Sequence, residues 1–249
     1  NAATMEYTLK SGVVDDIAII GAPIRPGSIK FKDLSGPNGT PDGKIDLNYD
    51  RTIIGNPNPK VTGGVSQQFN YKNWDLSLFV NFMLDFDVYN ANRIEFTNSY
   101  SPNSNMLGIM KDRWRNIDPA TGESLTWTIS GKVYGVAPER LSSVNANATI
   151  WQPLLSTGAF TPHSWAIEDG SFLRFNNLTV GYTLPVKSVG SFHMSKLRFY
   201  FTANNLAIIT NYSGYDPEVS VRNDARTPNL DYSAYPKSRS YLFGVNATF

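Results

Sequence analysis

Side chains able to do acid–base or nucleophilic chemistry are scarce in this chain. Histidine occurs only at positions 163 and 193, and cysteine is absent. Without thiols there is no disulfide, zinc–thiolate site, iron–sulfur cluster or cysteine nucleophile. Two histidines cannot build a multi-histidine metal centre. Neither has a motif around it, and both read as ordinary surface residues. No glycine-rich phosphate loop and no nucleophile elbow is present. The 21 acidic residues include no two that stand out as a glycosidase pair. The sequence therefore argues against an enzyme. Carboxylates do gather at Asp33, Asp42, Asp46 and Asp50, around the turn Asp42-Gly43-Lys44-Ile45-Asp46. Four of the five tryptophans, at 114, 127, 151 and 165, fall in one stretch without strand patterning. Such aromatics can stack on sugar rings or grip a peptide, offering area at little entropic cost. They can equally anchor loops to each other or to a partner, and the residues alone do not choose.

Composition narrows the elements that must carry these groups. The chain has 249 residues, enough to bury a core; 17% are charged and 13% aromatic, with a formal net charge of +1. Globular proteins average about 25% charged residues. So balanced a total indicates no nucleic-acid partner. No apolar window of about 18 residues occurs, so no transmembrane helix is expected. Transmembrane strands carry a far weaker signal, and their presence stays open.

Two-residue alternation is the dominant pattern, the period of a strand with two unlike faces. Between 73 and 84 the even positions read Trp74, Leu76, Leu78, Val80, Phe82, Leu84, against Asn73, Asp75, Ser77 and Asn81 among the odd ones. Leu197, Phe199, Phe201 and Ala203 alternate with Arg198, Tyr200, Thr202 and Asn204. Tyr241, Phe243, Val245, Ala247 and Phe249 alternate with Leu242, Gly244, Asn246 and Thr248. From 171 to 184 the phase slips, because Leu173 and Phe175 are odd but Leu178, Val180 and Tyr182 even. A bulge near Asn176-Asn177 reconciles the halves. The expected strands are 61–71, 73–84, 171–184, 195–205 and 239–249. Each is longer than the usual strand of about 5–6 residues and meets the ~9–11 residues that a tilted membrane-crossing strand needs.

Connections between these strands run short, long, medium, long. That is the rhythm of an outer-membrane barrel, with short periplasmic turns and long extracellular loops, and it places the C-terminus in the periplasm. The loops are 85–170 and 206–238, and residues 1–60 read as a further extracellular loop region preceding the barrel segment 61–249. A loop as long as 85–170 is expected to be folded and functional; Met106, Ile109, Met110 and Trp114 stand at helical spacing within it. A soluble sandwich would show shorter strands and turn signals about every 8–12 residues.

Several segments carry a family resemblance. Asp50-Arg51-Thr52-Ile53-Ile54-Gly55-Asn56-Pro57-Asn58-Pro59-Lys60 leads into a strand and then into Tyr71-Lys72-Asn73-Trp74-Asp75-Leu76-Ser77. Ile167-Glu168-Asp169-Gly170-Ser171-Phe172-Leu173-Arg174 continues to Asn177-Leu178-Thr179-Val180-Gly181-Tyr182-Thr183-Leu184-Pro185. Ala203-Asn204-Asn205-Leu206, Tyr212-Ser213-Gly214-Tyr215-Asp216-Pro217-Glu218-Val219, Tyr235-Pro236 and Phe249 follow. In that order, over roughly residues 28 to 249, the chain resembles the SusC/RagA family of TonB-dependent outer-membrane transporters of Bacteroidetes.

The resemblance implies an all-β fold: about five C-terminal strands of a large barrel of about 22 strands with a plugged lumen and long extracellular loops. It implies import of oligosaccharides or peptides across the Gram-negative outer membrane. The implied partners are a SusD-like lid lipoprotein, TonB (through an N-terminal part outside this chain), the remaining barrel and plug, and lipid. Five strands alone cannot close such a barrel, so the chain is expected to be the C-terminal part of something longer. Tyr241, Phe243, Val245 and Phe249 resemble the C-terminal signal for membrane insertion, apolar alternation ending in an aromatic. Asp33, Asp42 and Asp46 resemble a calcium loop, since oxygen ligands around a glycine turn suit that ion. Here Ser35 to Pro41 expands the spacing with glycine and proline, so a metal-free rigid turn is the first reading and calcium the second. No other cofactor is expected. The alternative function is a secreted glycan-binding β-domain without transport activity.

Overall fold

The computed structural model describes residues 5–14, 24–98, 103–153, 161–189, 193–221 and 227–249. Parts of the expected loop regions, at 15–23, 99–102, 154–160 and 222–226, lie outside the described residues. The chain divides into two compact units: residues 1–53 with 92–163, and residues 54–91 with 164–249. The sequence had kept the first loop region and the long loop 85–170 apart as separate excursions. In the structure most of both fold together as one unit.

Eleven strands are described: β1 (Met5–Tyr7), β2 (Val61–Tyr71), β3 (Trp74–Leu84), β4 (Asp87–Asn90), β5 (Thr126–Ile129), β6 (Lys132–Gly135), β7 (Ile167–Asp169), β8 (Phe172–Thr183), β9 (Lys196–Thr210), β10 (Leu230–Asp231) and β11 (Ser240–Thr248). In the second unit β2, β3, β8, β9 and β11 form one antiparallel sheet in the order β11-β9-β8-β3-β2. β2 and β3 meet at a tight turn with Lys72 at φ 54°, residues 184–195 connect β8 to β9, and the long excursions connect β3 to β8 and β9 to β11. At the opposite end of the sheet, β4, β7 and β10 make a small second sheet from the two long excursions.

The phase slip in β8 has the anticipated origin. Phe79 pairs with Asn177 and Val80 with Phe175, so Asn176 is skipped. Against β9 the same residue is skipped, and there Asn177 pairs with Asn204 while Phe175 pairs with Ala207. β9 therefore bulges too, with Asn205 in the left-handed region at φ 51°. This second bulge carries β9 on to Thr210, five residues past the expected end at 205. The helix expected around 104–114 is only a 3-10 turn, Gly108–Asp112, which buries Met110.

The first unit is a separate small fold. β1, β6 and β5 form its sheet, helix α1 (Pro138–Val144) follows, and Leu125, Val136 and Leu141 are its buried core, packed with Tyr7, Trp114, Trp127 and Val144. Proline opens α1, where its missing N–H costs nothing. Among the described residues no helix is long and apolar enough to cross a membrane.

Candidate functional site

The five-stranded sheet separates its side chains by chemistry. Strand register stacks Phe69, Leu76, Val180, Phe201 and Phe243 in one row across all five strands. On the same face Leu78, Leu178, Ala203 and Tyr241 form the next row with Gln67, a polar residue at the position between Val65 and Phe69 on that face of β2. Much of this apolar face is open in the chain: Phe69 is 58% exposed, Val245 58% and Phe243 79%. A continuous apolar face of this extent in an isolated chain marks a surface meant to be covered.

The other face is polar and internally bonded. Asn177 Nδ2 donates to Asn204 Oδ1 (2.7 Å), Asn204 Nδ2 to Ser240 Oγ (3.0 Å), and the Thr179 and Thr202 hydroxyls lie 2.9 Å apart. Asn176, the bulged residue, uses its free side chain to donate to Asn81 Oδ1 (2.6 Å). Asn81, Thr179, Thr202, Asn204, Asn246 and Thr248 share this face by register. Alternating polar and apolar faces on strands of about eleven residues are what a barrel wall between lipid and an aqueous lumen requires.

Beyond the sheet's long-excursion end, a small core of Phe86, Val88, Phe172, Tyr212 and Val219 ties both excursions down. Gly170 is required there, because a Cβ would lie 2.4 Å from the Phe86 ring. Glu168 accepts hydrogen bonds from Asn90 Nδ2 (2.9 Å) and from the backbone N–H (3.0 Å) and hydroxyl (2.9 Å) of Ser213. Tyr212 donates its hydroxyl proton to buried Asp231 (2.6 Å). Arg174 is 1% exposed and donates to Asp216 Oδ1 (2.5 Å) and Asn205 Oδ1 (2.7 Å), with Glu218 3.3 Å from its Nε. Lys237 completes the set through Glu218 (2.6 Å). Thus the bulge at Asn205 and the segment Asp216-Pro217-Glu218 are held by one arginine. Those residues were visible in the sequence only as parts of the resemblance, since no local signal pairs positions 174 and 216.

The anticipated insertion signal lies as follows. Tyr241, Phe243 and Val245 sit on the apolar face of β11, and Phe249 lies just past that strand, 83% exposed. The acidic cluster does not gather as a metal site. Asp33 Oδ2 accepts from Gly43 N–H (2.7 Å), Asp42 Oδ1 from Lys44 N–H (3.0 Å), and Asp46 Oδ1 from Asn48 and Tyr49 N–H (2.7 and 3.0 Å). Asp50 is the hub: it accepts from Leu34, Ser35 and Asp46 N–H at 2.6, 3.2 and 2.7 Å. Those bonds, led by that from Asp46, hold its carboxyl below the ordinary carboxylate range. Carboxylates spent on backbone N–H groups stiffen a turn, and among the described residues no three or more His, Asp or Glu side chains converge to hold a metal. As arranged, Asp33, Asp42 and Asp46 do not converge as a ligand set, although Asp33 Oδ1 is buried without a hydrogen-bond partner. His163 packs edge-on against Phe31 and Trp151, and burial pushes its imidazole pKa down; His193 sits in a turn at φ 58°.

Comparison with known proteins agrees with this geometry. No family model matches. The TonB-dependent receptor P3 of Formosa agariphila is 30% identical over 229 residues, which is 90% of this chain and 19% of that receptor. The TonB-dependent receptor SusC of Bacteroides thetaiotaomicron is 27% identical over 232 residues, 90% of this chain and 18% of SusC. The RagAB peptide importer in its open-open state superposes with a TM-score of 0.59 at 20% identity, over 99% of this chain and 22% of the other. The chain thus spans about a fifth of the length of the curated relatives it matches. These relatives are receptors and transporters by name, not enzymes.

Proposed function

We propose that this chain, a segment of a SusC/RagA-like TonB-dependent receptor, supplies the closing part of the wall of an outer-membrane importer and two of its extracellular excursions. The observation that carries the reading is the five-stranded sheet with one continuous apolar face and one bonded polar face. The apolar face meets lipid; the polar face meets the plug and water. The edges of β2 and β11 find their partners in the remaining strands, since an unpaired strand edge does not survive in lipid. The ends joined by short connections lie in the periplasm together with Phe249, and the long excursions lie outside the cell. There the excursions meet a SusD-like lipoprotein and a nutrient of the oligosaccharide or peptide class, and TonB acts through parts of the receptor beyond this segment.

The test uses the complete receptor carrying this segment, tagged and extracted with detergent from the outer membrane. A SusD-like lipoprotein should co-purify, and cells should accumulate labelled oligosaccharide or peptide only while the proton gradient stands. Recovery of the receptor in the soluble fraction, or accumulation that ignores collapse of the gradient, would overturn the reading in favour of a secreted binding domain.

A further inference from the structure

Alternation alone leaves the wall's register underdetermined. A slip of one residue would turn every side chain to the wrong face, so it is excluded by burial. A slip of two residues keeps every face correct, and the amphipathic pattern does not oppose it. Something else must choose among registers two apart. At the end of the sheet with short connections, Asp75 of β3 and Arg198 of β9 form a bidentate ion pair, Nε to Oδ1 at 2.9 Å and Nη2 to Oδ2 at 2.5 Å. These strands are not neighbours; β8 lies between them. The pair passes directly over Gly181 of β8, whose register partners are Asp75 on one side and Tyr200 on the other. A Cβ on Gly181 would lie 2.3 Å from Arg198 Nη2 and 2.5 Å from Asp75 Oδ1. The guanidinium also sits 5.1 Å from the centre of the Tyr200 ring. That ring in turn covers Gly244 of β11, where a Cβ would lie 2.2 Å from Tyr200 Cζ. Two glycine notches and the groups lying in them thus run across four strands.

We propose that Asp75, Gly181, Arg198, Tyr200 and Gly244 are positioning residues that key the register of the closing strands, rejecting the two-residue slips that side-chain alternation tolerates. If β9 slipped by two against β8, Thr179 or Thr183 would replace Gly181 beneath the guanidinium. The slip that pairs Thr183 with Tyr200 would also carry Arg198 about 7 Å further along the sheet from the Asp75 row, two strand rises, breaking both bonds. The opposite slip brings Arg198 level with Gly181 and is opposed by Thr179 beneath the guanidinium. If β11 slipped by two against β9, Leu242 or Asn246 would meet the Tyr200 ring in place of Gly244. The bulges at Asn176 and Asn205 fix the other end of β8 and β9, whereas the clasp ties β3, β8 and β9 at once. This role rests on the barrel-wall reading.

The test is disulfide trapping in the complete receptor in its own outer membrane, with any other cysteines removed; this segment has none. Thr179→Cys with Thr202→Cys reports the native register, and Thr179→Cys with Asn204→Cys a two-residue slip. Each pair is placed in the parent, in Asp75→Asn, in Gly181→Val, and in the charge-swapped double variant Asp75→Arg with Arg198→Asp. The native cross-link should dominate in the parent. It should fall several-fold in Asp75→Asn and Gly181→Val as the slipped cross-link rises, and it should recover in the double variant. An unchanged ratio of the two cross-links in both single variants overturns the proposal. So does loss of the assembled receptor in the single variants that the charge swap fails to restore. Failure of the barrel-wall reading looks different: the parent itself would show no membrane-embedded receptor with the native cross-link.

Discussion

The two compact units solve the same problem, what to do with apolar side chains, in opposite ways. The first unit turns them inward: Leu125 is fully buried, with Val136 and Leu141 beside it, and polar side chains bridge its loops. Asn145 illustrates the bridging, accepting from Arg115 N–H (2.7 Å) and donating to the carbonyls of Arg115 and Leu141 (3.1 and 3.0 Å). The sheet of the second unit turns its apolar rows outward and keeps amides and hydroxyls on its other face, bonded across strands. On the barrel-wall reading, one unit is organised against water and the other against lipid. A single chain composition, with its low charge and high aromatic content, would then serve two solvents when the period of the pattern changes.

That contrast breaks most visibly at its buried charges. Replacing Arg174 by Ala strands Asp216 without its partner in a site where both side chains are at most 5% exposed, an expected cost of about 3–5 kcal/mol. The excursion around Asp216-Pro217-Glu218 should then become protease-sensitive in the assembled receptor, and mass spectrometry of the fragments reads the site of cutting. Leu125→Ala tests the inward-facing core, at about 2–5 kcal/mol for a truncated buried leucine. Cleavage should appear within 103–153 while the receptor's level in the membrane stays constant. Lysine at Leu78, Phe199 or Val245 tests the outward face, at about 2–4 kcal/mol near the bilayer midplane. Membrane fractions should lose the receptor, whereas lysine at Thr202, on the polar face, should leave the level far less affected.

The smallest effect sharpens the account of the acidic turn. Asp50 is held below its ordinary pKa by three backbone N–H bonds, so its contribution is complete above the unfolded value of about 3.9 and is lost as pH falls through the lower folded value. The protection of the Leu34, Ser35 and Asp46 amides, the slowing of their exchange relative to that of an unstructured amide at the same pH, should therefore fall on acidification below about pH 4. Asp50→Asn should flatten that dependence.

Much of the sheet was legible because a two-residue period is imposed by backbone geometry and needs no knowledge of neighbours. The Asn176 bulge was legible for the same reason: Phe175 and Leu178 cannot share a face without an inserted residue. The bulge in β9 left no such mark, since Ala203 and Ala207 keep the same parity across it and Asn204-Asn205 reads as a strand end. Arg174 with Asp216, and Asp75 with Arg198, join positions far apart in sequence, and only the folded register brings them together. The first unit was legible only as an excursion too long to be structureless, because its short strands and its core of three buried residues produce no sustained period.

Spin labels placed one at a time along β3, β8 and β11 of the complete receptor in lipid would test the central claim most directly. Collision with dissolved oxygen and with a water-soluble nickel chelate would be measured at each site. Sites 76, 78, 80, 178, 180, 243 and 245 should be accessible to oxygen and shielded from nickel, and 77, 81, 177, 179 and 246 should show the reverse or be shielded from both. The two signals should alternate residue by residue, inverting phase at Asn176. A uniform profile along these strands, or nickel access at both parities, would contradict a wall between lipid and lumen.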